Sequence, residues 1–282
     1  MLKKSRILCS LLFLLILQLS VANAETGSLK ADSISYNVNT KKAEAKGNVV
    51  IKKETATMWG EIAQGNTETF EFTIKGNVRG EFPEDKAEMK ADLVKWVNSS
   101  EKNNNIVEAF GKVLLTREPK DRLRAEYVRW ETETTNYLAR GNVDGIFQNK
   151  ILKATEAGRT ESTFWGKRVI RYEDMSQKIG FAAETIDGTL LDNEIQTAIA
   201  RSFVTIDYID ADGVKSVVTG DLAEYSKARG TVIVSGKAKM VRSDGKTANA
   251  DRFILYENTK NIEAIGNTQM VFDLSDEKKK KE

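Results

Sequence analysis

The side chains that usually carry covalent or acid–base chemistry are scarce in this sequence. Its 282 residues include no histidine and only one cysteine, Cys9. Histidine is the proton shuttle of the common catalytic triads and a ligand in most zinc sites that are not built from cysteine alone. The run Asp210-Ala211-Asp212-Gly213 hints at a calcium loop but lacks the remaining ligands, which favours a hairpin turn. We therefore expect a protein that is not an enzyme and has no cofactor and no metal site.

The charged residues are balanced in number and interspersed along the chain. Lysine and arginine total 43, aspartate and glutamate total 41, and the net charge is +2. Nucleic-acid binders concentrate basic residues in a patch or stripe, and no such stripe is present. We therefore expect no nucleic-acid partner. The chemistry that remains open to this chain is the burial of apolar and aromatic side chains.

The first 24 residues have the organisation of a signal peptide. Basic residues in the first six positions precede an apolar run over Ile7–Leu19, and Ala22-Asn23-Ala24 supplies a small-x-small cleavage site. The competing interpretation is an uncleaved inner-membrane anchor, but the apolar run is shorter than the roughly 20 residues that span a bilayer. We predict export to the periplasm with cleavage before Glu25. Cys9 lies within this segment, so the mature chain has no disulfide.

Two short motifs recur along the rest of the chain. The first is a small residue, an acid, any residue, an apolar residue, any residue, and an aromatic or apolar residue. It occurs at 31–36, 91–96 and 125–130, with looser copies that start at Gly220 and Ala250. The second is a glycine followed by Asn or Lys and a small or β-branched residue. Its copies start at Gly47, Gly76, Gly111, Gly141, Gly236 and Gly266.

The spacing of the two motifs predicts a stack of similar units. Fifteen residues separate the acid from the glycine in four of five pairs, and the fifth pair, Asp92 and Gly111, is longer by an insertion in the polar run Ser99–Asn105. The first four glycines recur about every 30 residues, a typical period for a stacked architecture. Residues around each glycine alternate between apolar and polar, which predicts strands with one buried face. The glycine itself is expected at a bend or bulge.

Turn-like stretches separate the predicted strands. They lie at Asn37–Lys42, Glu131–Asn136 and Glu257–Asn261, and Asn and Asp favour such turns because their side chains bond to neighbouring backbone groups. The segment 150–215 matches the motifs poorly, although Thr185–Val218 is strand-rich. Two interpretations stay open for it: a distorted middle of one stack, or a junction between two lobes.

The paired motifs resemble those of the LptA/OstA-like family of lipopolysaccharide transport proteins, which includes the organic solvent tolerance protein A-like N-terminal domain. The matching copies cover residues 31–51, 91–115 and 125–143, with weaker ones at 220–240 and 250–270. The resemblance implies an all-β fold, an elongated open, taco-like β-jellyroll of antiparallel strands. The expected organisation is a signal peptide at 1–24, the jellyroll at 25–272 and a disordered basic tail at 273–282.

The resemblance also implies a function and partners. The chain would be a periplasmic protein that bridges the inner-membrane export complex and the jellyroll domain of the outer-membrane translocon, with head-to-tail association of several copies. One alternative is a membrane-anchored, LptC-like subunit of the export complex. Another is a β-solenoid protein that acts on or adheres to polysaccharide, which requires clustered carboxylates or aromatics on the outer face.

An open jellyroll leaves its inner apolar residues available to the acyl chains of lipopolysaccharide, because hydrocarbon burial is favourable and non-directional. Each of these residues could instead fill an ordinary core. The predicted ligand-binding residues are Ile34, Tyr36, Val49, Ile51, Val94, Trp96, Val113, Leu115, Val128, Trp130 and Val143.

Overall fold

The computed structural model describes residues 27–99, 104–117, 120–132, 134, 136–175, 179–209 and 213–272. These residues form strands, turns and bends and contain no helix, so none of them forms a helix that could cross a membrane. The predicted signal peptide, the predicted basic tail and most of the predicted hairpin turn at Asp210–Gly213 lie outside the described residues.

Eighteen strands make up this part of the chain. They are β1 (Gly27–Lys30), β2 (Ser33–Asn37), β3 (Lys42–Lys53), β4 (Ala56–Asn66), β5 (Glu71–Phe82), β6 (Ala87–Ser99), β7 (Asn104–Arg117), β8 (Asp121–Glu131), β9 (Tyr137–Phe147), β10 (Lys150–Arg159), β11 (Thr163–Asp174), β12 (Ile179–Leu191), β13 (Glu194–Ile209), β14 (Lys215–Ser226), β15 (Thr231–Arg242), β16 (Thr247–Tyr256), β17 (Ile262–Ile265) and β18 (Gln269–Val271).

The strands form one open antiparallel sheet in chain order. From β3 to β16 each strand pairs with the strand before it and the strand after it. The short strands β1 and β2 both pair with β3 at one end, and β17 and β18 both pair with β16 at the other. At a spacing of about 4.8 Å per strand, this stack extends on the order of 70 Å. The predicted all-β, elongated open jellyroll is confirmed.

Five of the odd-numbered strands bend where the glycine motif predicts it. In β3, Gly47 and Asn48 have φ values of 74° and 46°, and the pairing with β4 shifts register between Lys46 and Val49. Glycine and asparagine tolerate this left-handed conformation better than other residues. The same shift occurs at the glycine motifs of β5, β7, β9 and β15. The predicted bulges are confirmed.

The bends fold the sheet over, so that the two rows of turns approach each other. Phe82 ends β5 and pairs with Ala87, whereas Trp96 pairs with Phe72 at the other end of the same strand pair. Ten residues of extended strand cover about 33 Å, yet the rings of Phe82 and Trp96 lie 6.3 Å apart. Side chains of the inner face form one buried apolar cluster that runs from Ala45 to Leu255.

The middle of the chain continues the same sheet. Strands β10 to β14 pair in sequence, and Ala154, Val169, Ala183 and Val204 belong to the buried cluster. Left-handed residues again mark the bends, but they are Arg168 in β11 and Ser202 with Phe203 in β13 instead of glycine. The absence of glycine explains why the repeat is hard to recognise there. The two interpretations of residues 150–215, as the middle of one stack or as a junction between two lobes, stay predictions.

Candidate functional site

The acid and the glycine of the two motifs meet on the outer side of each bend. A Cβ placed on Gly141 would lie 2.5 Å from Oε2 of Glu126, and one placed on Gly47 would lie 2.2 Å from Oδ2 of Asp32. The side-chain amide of Asn142 donates a hydrogen bond of 2.7 Å to Glu126. Equivalent bonds join Asn48 to Asp32 and Asn267 to Asp251. These recurrent carboxylates therefore have a structural role: they cover the glycines and accept hydrogen bonds at the bends.

Two further carboxylates, Glu61 and Glu184, occupy the same place in the sheet but were not predicted from the motifs. In β10 this place is taken by Thr155, and Glu156 follows it. Asn77 donates a 3.0 Å hydrogen bond to Glu61, which stands 15 residues before Gly76. Glu156 contacts Arg140 and Lys167 at 3.0 and 3.3 Å, and Glu184 contacts Arg168 at 3.8 Å. Two sequence features could have identified Glu61 and Glu184. Glu61 stands 15 residues before Gly76, and residues 183–186 have the small-acid-x-apolar pattern that contains Glu184. The described residues contain no group of three or more carboxylates that could hold a metal ion.

Most of the predicted ligand-binding residues lie in the buried apolar cluster. Val94, Trp96 and Val128 are fully buried, and Leu115 is half-buried against the cluster. By contrast, Ile34 and Tyr36 are 45% and 47% exposed on β2, at the N-terminal end of the sheet. The remaining buried members are Val49, Ile51, Val113, Trp130 and Val143.

Side chains from the two rows of turns close the folded sheet along a line that we call the seam. Phe82, from one row, packs edge-on against Trp96 and Trp130 from the other, with ring centroids 6.3 and 5.0 Å apart. Nearer the N-terminus, Lys53 donates a 3.2 Å hydrogen bond to Asn98 and lies 5.5 Å from the ring of Phe70.

The seam continues into the C-terminal half of the sheet. There the Tyr208 hydroxyl donates a 2.7 Å hydrogen bond to the backbone carbonyl of Tyr256, and the Lys260 ammonium lies 5.8 Å from the Tyr208 ring. The interior is thus enclosed along the seam by side chains.

The interior opens at the C-terminal end of the sheet, where a cavity of about 720 Å³ lies between β15, β16 and the last two strands. Its volume falls in the range of small-molecule sites. Met240, Ala248 and Phe253 line it and also belong to the buried cluster, so the cavity adjoins the apolar interior. Ile262 and Met270 extend the apolar lining toward solvent.

Basic residues stand at the mouth of this cavity. Arg242 and Lys260 both line it. The Arg242 guanidinium also contacts Asp244 at 3.2 Å, as does the Lys246 ammonium at 3.1 Å. Hydrogen bonds from Arg242 and then from Lys246 hold the pKa of Asp244 at about 2. The site thus joins an apolar wall to charged groups of both signs, since Glu263 also lines the cavity.

Similarity to known proteins is found among solved structures and not among protein sequences. No protein-family model matches this sequence, and no curated protein matches it. Among solved structures, the chain resembles LptH from Pseudomonas aeruginosa, described as the LptA-homologous periplasmic component of the lipopolysaccharide transport device. Sequence identity is 12%, the TM-score is 0.32, and the alignment covers 54% of this chain and 94% of LptH.

Proposed function

We propose that this chain is a non-catalytic periplasmic carrier of lipopolysaccharide that holds acyl chains in the apolar interior of its folded sheet. One observation carries the proposal: the cavity of about 720 Å³ at the C-terminal end adjoins the apolar cluster that runs the length of the sheet. The motif resemblance to the LptA/OstA-like family points to the same ligand.

Hydrocarbon burial supplies the binding energy in this proposal. Each methylene moved from water into an apolar site contributes about 0.8 kcal/mol, so part of one acyl chain is enough for appreciable binding. Burial is non-directional, and similar inner faces follow one another along the stack. A chain therefore gains about the same free energy at successive positions and can move between them. Arg242 and Lys260 would contact the anionic head of a lipid whose tail enters past Met240.

Entry deeper into the interior requires the two halves of the sheet to separate. Trp96 and Val128 are fully buried in the described conformation, so ligand and seam side chains compete for the same apolar surface. The contacts of Phe82 with Trp96 and Trp130 across the seam are packing contacts between rings, each worth about 0.5–1.5 kcal/mol beyond the area they bury. An acyl chain can replace such contacts because it offers apolar surface in return.

The sheet edges are the proposed sites of partner binding. The described sheet ends in short strands, β1 and β2 on one side and β17 and β18 on the other, and unpaired edges accept strands from other chains. We propose that these edges bind the jellyroll domains of the inner-membrane export complex and the outer-membrane translocon, or further copies of this chain.

Photo-crosslinking tests the carrier function. A photo-reactive residue is placed singly at the inward positions Ile51, Trp96, Val128 and Met240 of the exported chain, and purified lipopolysaccharide is added. Outward Lys95 and Arg129, each next in sequence to an inward residue, are the matched controls. We expect adducts at the inward positions only. The absence of adducts at every inward position of a folded protein would show that the interior is an ordinary core.

A further inference from the structure

The bend in β13 presents an aromatic side chain to solvent. Ser202 and Phe203 both have left-handed backbone conformations, with φ values of 63° and 54°. In the glycine-containing bends, the second position is Asn or Lys. A bulky residue at positive φ costs roughly 1–3 kcal/mol, and such strain concentrates at functional sites. Phe203 is also 84% exposed, so burial within this chain does not offset the strain.

A second exposed apolar residue lies at the same level of the sheet. Ile170, in β11, is 65% exposed. Strands β11 and β13 both pair with β12, where Val169 is opposite Ala183 and Thr205 is opposite Ala182. Ile170 and Phe203 thus lie two strands apart, at a separation of about 10 Å. Their inward neighbours Val169 and Val204 are buried, so both side chains project from the outer face.

Basic side chains surround Ile170 and extend further into solvent than the acids they contact. Side-chain exposure is 61% for Lys167 against 18% for its partner Glu156. It is 69% for Arg168 against 48% for Glu184. The third pair, Arg171 with Glu173, has exposures of 58% and 31%. Around Ile170 the outermost groups are therefore cationic, whereas near Phe203 the acid Asp187, at 55%, is slightly more exposed than its partner Arg201, at 46%. We call Lys167, Arg168, Ile170, Arg171 and Phe203 the basic ridge.

We propose that the basic ridge docks this protein on an anionic lipid surface. Phe203 and Ile170 enter the interfacial region, where an apolar group leaves water without having to fit a shaped pocket. The three cations contact lipid phosphates, and each basic residue near an anionic membrane surface adds binding energy that salt screens. The inference is independent of what the interior binds, because the ridge lies on the outer face of the sheet.

The test is co-sedimentation of the chain that begins at Glu25, which contains every described strand, with vesicles. One set contains equal parts of phosphatidylglycerol and phosphatidylcholine, and the other contains phosphatidylcholine alone. The central variant is Phe203→Asn, because asparagine occupies the equivalent position of four other bends and tolerates positive φ. Leu191→Asn is the control, since Leu191 is 62% exposed at a turn away from the ridge.

We expect binding to the anionic vesicles that weakens as salt is added. Phe203→Asn should lower the partition coefficient by about tenfold, as expected for loss of one buried phenyl group, while Leu191→Asn should leave it within about twofold. Arg168→Gln combined with Arg171→Gln should reduce the preference for anionic over neutral vesicles. Circular dichroism confirms that each variant is folded. Equal binding of the unsubstituted chain to both vesicle types, no binding to either, or unchanged binding of Phe203→Asn would overturn the proposal.

Discussion

Tyr137 and Phe147 are the first and last residues of β9, yet their rings stack with centroids 6.4 Å apart. A straight strand would separate these residues by about 33 Å. The strand folds back at Gly141 and Asn142, whose φ values are 74° and 49°. One strand thus contributes to both halves of the folded sheet and to both sides of its seam. The geometry of the interior therefore depends on the bend.

Gly141→Ala should destabilise the protein by more than the backbone strain of an alanine at positive φ. A Cβ at this position would strain the backbone and would lie 2.5 Å from Oε2 and 2.7 Å from Cβ of Glu126. Displacement of Glu126 also disrupts its hydrogen bond with Asn142. We expect a loss of roughly 2–4 kcal/mol in the free energy of unfolding, measured with urea.

Gly245→Ala separates the two contributions to that loss. Gly245 has a φ of 85°, but nothing lies within 4 Å of a Cβ built on it. Only the backbone strain of about 1–2 kcal/mol then applies. Equal losses for the two variants would show that the carboxylate over the bend contributes nothing to stability.

Ser202→Gly should stabilise the protein. Ser202 has a φ of 63° in the β13 bend, where most other bends have glycine. Relief of left-handed strain outweighs the entropy that glycine adds to the unfolded chain, so we expect a gain of about 0.5–1 kcal/mol in urea unfolding. Ser235→Gly, at a residue of β15 that precedes the bend and has no positive φ, should instead lower stability by a similar amount. A loss of stability in both variants would contradict the assignment of strain to the β13 bend.

Stability should fall at alkaline pH partly because of Tyr127. Burial, followed by the hydrogen bond from its hydroxyl to Glu108 at 2.8 Å, raises the pKa of Tyr127 to about 12. Between about pH 10 and 12 the unfolded chain loses this proton while the folded chain keeps it, so the contribution is complete below about pH 10 and is lost as pH rises.

Removal of the Tyr127 hydroxyl tests this relation. Tyr127→Phe should make the free energy of unfolding decline less steeply from about pH 10 to about pH 12, as measured by urea unfolding. Tyr36→Phe removes an exposed phenol on β2 and is the control. Parallel declines in the Tyr127→Phe variant and the unsubstituted chain would contradict the assignment.

The bends could be predicted from the sequence because their cause is local. A positive φ selects glycine and asparagine, and the acid that covers the glycine stands at a fixed distance along the chain. The bend of β13 could not be predicted in this way, because Ser202 and Phe203 adopt the same backbone conformation without glycine. Residues 183–186 do match the first four positions of the first motif, but without a glycine they had no recognisable partner.

Burial depends on neighbours that a local pattern does not reveal. Residues 31–36 carry the same motif as 91–96, but Ile34 and Tyr36 lie on a short edge strand and are exposed, whereas Val94 and Trp96 are covered. The seam was equally beyond prediction, because Phe82 and Trp130 meet across the fold and belong to strands that are not paired with each other.

The tryptophans allow a direct test of acyl-chain binding in the interior. The chain has four. Trp96 and Trp130 are buried members of the apolar cluster. Trp59 lies 5.3 Å from Arg79 and Trp165 lies 5.7 Å from Lys167, and both tryptophans are outside that cluster. Bromine atoms on an acyl chain quench tryptophan fluorescence only at close contact, so each pair reports on one face of the sheet.

The measurement is quenching by lipopolysaccharide brominated on its acyl chains, in two variants that each keep one pair. We expect Trp59→Phe/Trp165→Phe, which keeps the interior pair, to be quenched in a saturable manner. The reciprocal Trp96→Phe/Trp130→Phe variant should show little quenching, with unbrominated lipopolysaccharide as the control for both. Saturable binding that leaves the interior pair unquenched, or that quenches only Trp59 and Trp165, would place the lipid outside the fold and contradict the proposed carrier.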